Sequence, residues 1–274
     1  MIKKFGIIGN PIKHSLSPVL HNYWFEKYKI NANYSIINVK DENELPGIIE
    51  QIRNKKLSGI NVTLPYKQKI VSHVDTIVND AEITSSVNTI YLDNKHTIIG
   101  ENTDVFGLQA AYLKEVDQIS KKNVLVIGAG GVSPSVILSL QKSGAKNISI
   151  SNRTLEKCIF LKKKFKFLNI IEFKNLEKSI KRFEVIINAT SLGLKDGNDF
   201  NFDFLDVKEN LIYIDTIYNP LETKTLKSLK EKNIKVFNGL DMFIYQGQKS
   251  FYLWTKINPE IDQKLIELLH NNLK

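Results

Sequence analysis

Three stretches constrain the fold of this chain most: residues 123–127 (NVLVI), 184–190 (EVIINAT) and 211–216 (LIYIDT). Each is apolar at nearly every position. A strand with one wet face alternates in polarity, whereas a continuously apolar strand needs cover on both faces, as in a parallel sheet between helices. Helical patterns at 132–143 and 154–165, with a further strand at 147–150, complete an alternating series. This half therefore reads as a doubly wound α/β unit.

The first part of the chain repeats the alternation. Strands read at 4–8, 34–39 and 59–62, and helices at 18–28 and 42–54. A hairpin-like pair, 87–91 and 97–100, precedes a helix over 104–114. The last stretch, 239–274, reads as two helices. The expected architecture is α/β with two domains: 1–104, then a Rossmann-type domain over 105–238, with helices 239–274 returning to the first domain.

At 274 residues the chain is long enough for two ordinary domains, and no apolar run approaches membrane-spanning length. The apolar run after Lys3 and Lys4 is short and ends in Gly9-Asn10-Pro11, which reads as a strand and not as a signal peptide. The single cysteine, Cys158, excludes an internal disulfide and fits a reducing cytoplasm. The net charge of +9 comes from dispersed lysines, with Arg53, Arg153 and Arg182 the only arginines. Unclustered charge is a poor nucleic-acid footprint but favours anionic small molecules. No nucleic acid or membrane partner is expected. His14 and His21 lack carboxylate or thiol partners, so no metal is expected either.

Gly128-Ala129-Gly130-Gly131-Val132-Ser133 follows a strand and opens a helix, which suits a pyrophosphate at a helix N-terminus. A tight strand-to-helix turn would give the same pattern. About 20 residues on, a ribose-reading residue is needed, and an acidic one suits NAD. This chain has Ser151-Asn152-Arg153-Thr154, with Lys157 a turn later. A guanidinium there suits a 2′-phosphate, so the expected cofactor is NADP. Alternatively, Asn152 or Thr154 only caps the following helix.

Polar residues also cluster where strands of the first half end: Thr63 and Lys67 in NVTLPYK, Asn88 in SSVNT, Asn102 and Asp104 in GENTDVFG. If hydride is delivered to a ketone, the oxygen needs a proton, which a lysine beside an aspartate can supply. Lys67 also reads as a solvated lysine and Asp104 as a helix cap. In GNPIKHSLSPVLHN, Ser17 before Pro18 reads as a helix N-cap, which leaves Ser15 unexplained; the pair alternatively makes an anion site.

Taken together, SLSPVLHN, GINVTLPYK, SSVNTI, GENTDVFG, IGAGGV, SNRT, NATSLG, YNPLETKTL and GLDMFIYQGQKSFYLW resemble the shikimate dehydrogenase family over nearly the whole chain. The resemblance implies an oxidoreductase acting on a CH–OH group, reducing 3-dehydroshikimate to shikimate with NADPH in chorismate and aromatic amino-acid biosynthesis. It implies Lys67 and Asp104 as the catalytic pair. It implies Ser15 and Ser17 on the substrate carboxylate, and Thr63, Asn88, Asn102, Tyr218 and Gln246 as further substrate contacts. Gly128, Ala129, Gly130, Gly131 and Val132 match the pyrophosphate loop, and Asn152, Arg153, Thr154 and Lys157 the adenosine-phosphate clamp. Thr190 and Ser191 of NATSLG, with Gly239 and Met242, match the nicotinamide side. Two positions depart: Lys157 stands where the clamp usually carries a second arginine, and GGVSPS replaces a loop more often built with alanines. A small-molecule substrate, a monomer or homodimer, and the cytoplasm complete the expectation.

Overall fold

The structure is a computed structural model that describes residues 2–194, 199, 200, 204 and 206–273. In chain order the first elements are β1 (Lys3–Gly9), α1 (Ser17–Lys27), β2 (Ala32–Asn38), α2 (Leu45–Arg53), β3 (Gly59–Val62), β4 (Thr76–Ile77), α3 (Asp80–Thr84), β5 (Thr89–Leu92), β6 (Ile98–Glu101) and α4 (Asp104–Ala111). There follow β7 (Asn123–Ile127), α5 (Ser133–Lys142), β8 (Asn147–Ser151), α6 (Leu155–Lys164), β9 (Asn169–Ile170), α7 (Leu176–Ser179), β10 (Val185–Asn188), β11 (Ile212–Asp215), α8 (Lys224–Glu231), β12 (Lys235–Phe237), α9 (Leu240–Thr255) and α10 (Gln263–Asn271). The chain forms two compact units, Met1–Val105 with Ile244–Asn272, and Phe106–Phe243. It leaves the first unit within α4 and re-enters it within α9.

The first unit holds a six-stranded sheet in the order β2-β1-β3-β5-β6-β4. β1 pairs in parallel with β2 and β3, whereas β5 is antiparallel to β3 and to β6. The hairpin therefore sits in mid-sheet, so this sheet is mixed. On one face Ile8, Leu45, Ile52, Ile60, Ile70 and Ile90 form a closed aliphatic core. Elsewhere Trp24, Phe25, Phe251, Phe5 and Trp254 pack ring on ring, with centroids 4.9 Å apart for Phe5–Trp254 and 5.4 Å for Trp24–Phe251. Gly59 leaves room for this: a Cβ there would lie 2.5 Å from Trp254 Nε1. His21 is buried in the same cluster, its ring stacked on Tyr34 at 4.5 Å. Burial pushes its pKa down to about 3, so it packs as a neutral aromatic. The C-terminus is tied to α1 through Asp262, which caps α10 at Leu265 N–H, accepts from Tyr23 Oη and pairs with Lys27.

The second unit holds a wholly parallel sheet, β12-β11-β10-β7-β8-β9. Its central strands β7 and β10 are fully buried apart from Asn123, because helices cover both faces. Cys158, on α6, faces inward and is buried. Burial pushes its thiol up to about 11.

Several boundaries differ from the sequence reading. The helix expected over 42–54 starts as a single 3-10 turn, Glu42–Glu44, before α2. The helix expected over 104–114 gives way after Ala111 to a 3-10 turn, Leu113–Glu115. The two-residue strands β4 and β9, and the short β12, lie at sheet edges and carry too few residues for a periodic signal.

Candidate active site

The three polar strand ends of the first unit converge. The loop after β1 is tied to the loop after β3 by Asn10 N–H to Leu64 C=O (2.9 Å) and Thr63 N–H to Ile8 C=O (2.9 Å). Val87 N–H donates to Lys67 C=O (2.8 Å), and Asn88 N–H to Glu101 C=O (3.0 Å). These backbone links place Lys67 beside Asp104: Nζ donates to Oδ2 at 2.7 Å, with the side chains 12% and 6% exposed. Lys67 is thus no solvated surface lysine.

Asp104 is not the cap of its helix either. It is the first residue of α4, and Asn102 Oδ1 accepts its N–H at 3.0 Å. The Asp104 carboxylate is left for Lys67 and for Asn88, whose Nδ2 donates to Oδ1 at 2.8 Å. Thr103 N–H donates to Asn88 Oδ1 (2.8 Å), and a backbone N–H can only donate, so this fixes which end of the Asn88 amide faces Asp104. Gln246, entering from α9, lies 3.4 Å from Asn88 Nδ2 through Oε1. Asn102 Nδ2 donates to Ser86 C=O (2.9 Å) and Thr84 Oγ1 (3.2 Å). Behind Asn88, Thr89, Thr103, Ser250 and Asn61 form a buried hydroxyl and amide cluster, with Thr89 Oγ1 and Ser250 Oγ 2.8 Å apart.

The serine loop corrects the reading of Ser17 as a side-chain cap. α1 begins at Ser17 itself, with Leu16 in the cap position and no side-chain cap bond there. Ser15 Oγ instead accepts Ser17 N–H at 3.2 Å and donates to Ser17 Oγ at 3.2 Å. Ser17 already has helical backbone angles and cannot reach its own first turn, whereas Ser15, two residues earlier, can. The two hydroxyls therefore stand side by side.

In the second unit the glycine turn has the geometry its sequence suggests. Gly128 has φ +116°, and a Cβ on it would lie 2.7 Å from Ala189 C=O. Its N–H donates to Ser151 C=O (2.8 Å), closing the end of β7 against β8. Ala129 N–H donates to Asn152 Oδ1 (3.2 Å) and Gly130 N–H to Ser133 Oγ (2.9 Å). A Cβ on Gly130 would meet nothing within 4 Å, so the turn is open on that side. Gly131 and Val132 lead into the N-terminus of α5, which carries Pro134 in its first turn. Arg153, Thr154 and Lys157 are exposed beside this turn, and no carboxylate pairs with Arg153 among the described residues. Neither Asn152 nor Thr154 caps α6 with its side chain. An open glycine turn at a helix N-terminus with an uncommitted guanidinium alongside fits a nucleotide carrying an extra phosphate.

Further along the same sheet edge, Thr190 N–H and Oγ1 both donate to Asn188 Oδ1 (3.0 and 2.7 Å), and Ser191 is exposed. Gly239 approaches the backbone so closely that a Cβ would fall 2.3 Å from Thr216 C=O. Met242 N–H donates to Tyr112 Oη at 3.1 Å, and Tyr218 stacks on Phe243 at 4.7 Å. Sequence reasoning did not single out Asn61, Thr103 or Asp215. Their signal was a polar residue in or just after an apolar strand. Among the described residues no group of three or more His, Cys, Asp and Glu could hold a metal, and no helix is long and apolar enough to cross a membrane.

Comparison with known proteins gives three family matches. Residues 7–90 match a shikimate dehydrogenase substrate binding domain, 111–194 a shikimate/quinate 5-dehydrogenase, and 239–263 a shikimate 5′-dehydrogenase C-terminal domain. The shikimate dehydrogenase (NADP(+)) of Pelagibacter ubique is 46% identical over 270 residues, 98% of this chain and 99% of that protein. A solved shikimate dehydrogenase in complex with NADP+ superposes with TM-score 0.91 at 33% identity, covering 100% of this chain and 96% of the other. The Thermus thermophilus shikimate 5-dehydrogenase in complex with NADP(H) and shikimate gives 0.88 at 29%, covering 99% and 100%. Sequence and fold agree along the full length: the chain belongs to the shikimate dehydrogenase family.

Proposed function

We propose that this chain catalyses the reversible NADPH-dependent reduction of 3-dehydroshikimate to shikimate, a step of chorismate and aromatic amino-acid biosynthesis. The observation that carries this reading is the Lys67–Asp104 pair, largely withdrawn from solvent at the meeting point of three strand-end loops. Bound NADPH supplies the hydride. As the ketone oxygen gains charge, the Lys67 ammonium stabilises it and delivers the proton, while Asp104 orients the ammonium. Asn88 steadies Asp104 from its other oxygen. The first unit takes the substrate: Ser15 and Ser17 hold its carboxylate, and Thr63, Asn88, Asn102 and Gln246 its ring substituents.

The second unit takes NADP. Gly128, Ala129, Gly130, Gly131 and Val132 admit the pyrophosphate to α5, and Asn152, Arg153, Thr154 and Lys157 face the 2′-phosphate. Thr190, Ser191, Gly239 and Met242 serve the nicotinamide. The enzyme works in the cytoplasm as a monomer or homodimer, which sizing chromatography resolves.

The test is absorbance of reduced cofactor with shikimate and NADP, run beside NAD and beside quinate. Turnover chiefly with shikimate and NADP is expected; turnover centred on quinate and NAD overturns the specificity. Lys67→Ala is expected to lose about 10²–10⁴-fold in kcat while binding NADPH as before. A variant that keeps the wild-type rate removes the acid/base role.

A further inference from the structure

At the carboxyl end of β11 lies a carboxylate that the catalytic reading does not use. Asp215 is 0% exposed, and no cation pairs with it among the described residues. It accepts three hydrogen bonds from three separate segments. Asn188 Nδ2, at the end of β10, donates to Oδ1 at 3.1 Å. Ile217 N–H donates to the same oxygen at 3.0 Å. Thr223 Oγ1 donates to Oδ2 at 3.1 Å, and it is the residue that caps α8 by accepting Leu226 N–H.

The bond to Asn188 reaches furthest. Thr190 N–H can only donate, so the Asn188 atom facing it is Oδ1 and the NH2 faces the other way. There it meets two acceptors, Asp215 Oδ1 and Leu192 C=O (3.2 Å). Thr190 Oγ1 in turn accepts Leu192 N–H at 3.0 Å. The 190–192 loop is thus folded around one amide, and Asp215 holds that amide. On its other side the 216–217 turn receives Gly239: Gly239 N–H donates to Ile217 C=O at 2.7 Å. Both segments assigned to the nicotinamide side, at 190–191 and 239–242, lean on the same carboxylate.

We propose that Asp215 is the positioning residue for the nicotinamide side of the cofactor site, one buried carboxylate setting the 190–192 loop, the 216–217 turn and the start of α8 together. This rests on the reading of the second unit as the cofactor unit. Asp215 touches no reacting atom; it acts through Asn188 and Ile217. Removing it strands an N–H on each of these where water does not reach, and a buried donor left unpaired makes the segment rearrange. The adenosine end, built on Gly128 and Arg153, makes no bond to it.

The test separates the two halves of the cofactor. Binding of NADPH, followed by its own fluorescence, is compared with binding of adenosine 2′,5′-bisphosphate, which carries only the adenosine half. Asp215→Ala is expected to weaken NADPH by about tenfold or more and to leave the bisphosphate within about twofold. Asp215→Asn, which keeps an acceptor for Ile217 and Asn188, restores NADPH affinity. Asp215→Leu removes the acceptors without opening a cavity and repeats the measurement if the alanine variant does not fold. Equal losses for both ligands, or unchanged NADPH affinity in the alanine and leucine variants, overturns the proposal. Wild-type protein that binds neither ligand instead overturns the cofactor reading, and this assignment with it.

Discussion

The same carboxylate makes a quantitative prediction about stability against pH. Burial is the largest influence on Asp215 and raises it from 3.8 to about 6; the Asp199 carboxylate also raises it, and its three hydrogen bonds pull it down only in part. Between these two values the folded protein keeps a proton on Asp215 that the unfolded chain has lost. Stability therefore falls as pH rises through this window and settles once both states are ionised. The shift is worth about 3 kcal/mol at 1.36 kcal/mol per pH unit.

Asp215→Asn imitates the protonated form at every pH: its oxygen accepts from Ile217 and Asn188, and its NH2 turns to Thr223 Oγ1. The difference in unfolding free energy between variant and wild type isolates this one group, since every other titrating side chain is common to both. It should move in favour of the variant by about 2.4 kcal/mol between about pH 4 and about pH 8, the rest of the roughly 3 kcal/mol lying below about pH 4. Urea titrations followed by far-UV circular dichroism give this difference, with amide exchange of the β10 and β11 peptides, compared at equal pH, reporting on the second unit. Parallel curves across the range, or a movement in the opposite sense, would refute the assignment of a buried, cation-free carboxylate.

Two further outcomes are expected at the cofactor turn. Arg153→Ala should raise the KM for NADPH by about 10–100-fold, as loss of a charge-assisted bond to a 2′-phosphate implies, with the KM for shikimate nearly unchanged; steady-state kinetics with each substrate varied decides it, and parallel losses refute it. Gly128→Ala places a Cβ 2.7 Å from Ala189 C=O at φ +116°, which should lower stability by about 1–3 kcal/mol and weaken NADPH binding. A variant with the wild-type melting temperature removes the steric argument.

How far the chain could be read in advance differs between the two units for a physical reason. β7, β10 and β11 stood out because strands covered on both faces are apolar throughout, and the turn after β7 followed from its glycines. The mixed sheet of the first unit was less legible. Its pairing of β5 between β3 and β6 depends on tertiary register, not on any local pattern. Lys67 and Asp104 could be named from strand-end positions, but an equally good local argument made one a surface lysine and the other a cap. Only the Val87 N–H bond to Lys67 C=O and the Asn102 side chain that accepts Asp104 N–H decide between these. Ser15 and Ser17 exchanged roles by a shift of where the helix starts. Asp215 left no signal beyond a polar residue closing an apolar run, because its partners come from 27 residues before it and 8 after.

The two units also differ in what they can report about themselves. Both tryptophans, Trp24 and Trp254, sit in the aromatic core of the first unit, and the one thiol, Cys158, is sealed inside the second. Indole emission therefore follows one half of the molecule, while the rate of thiol labelling follows opening of the other. With no mutation added, a thiol reagent and indole emission followed in the same sample expose whether the halves melt as one body or in turn, and which of them a given ligand steadies.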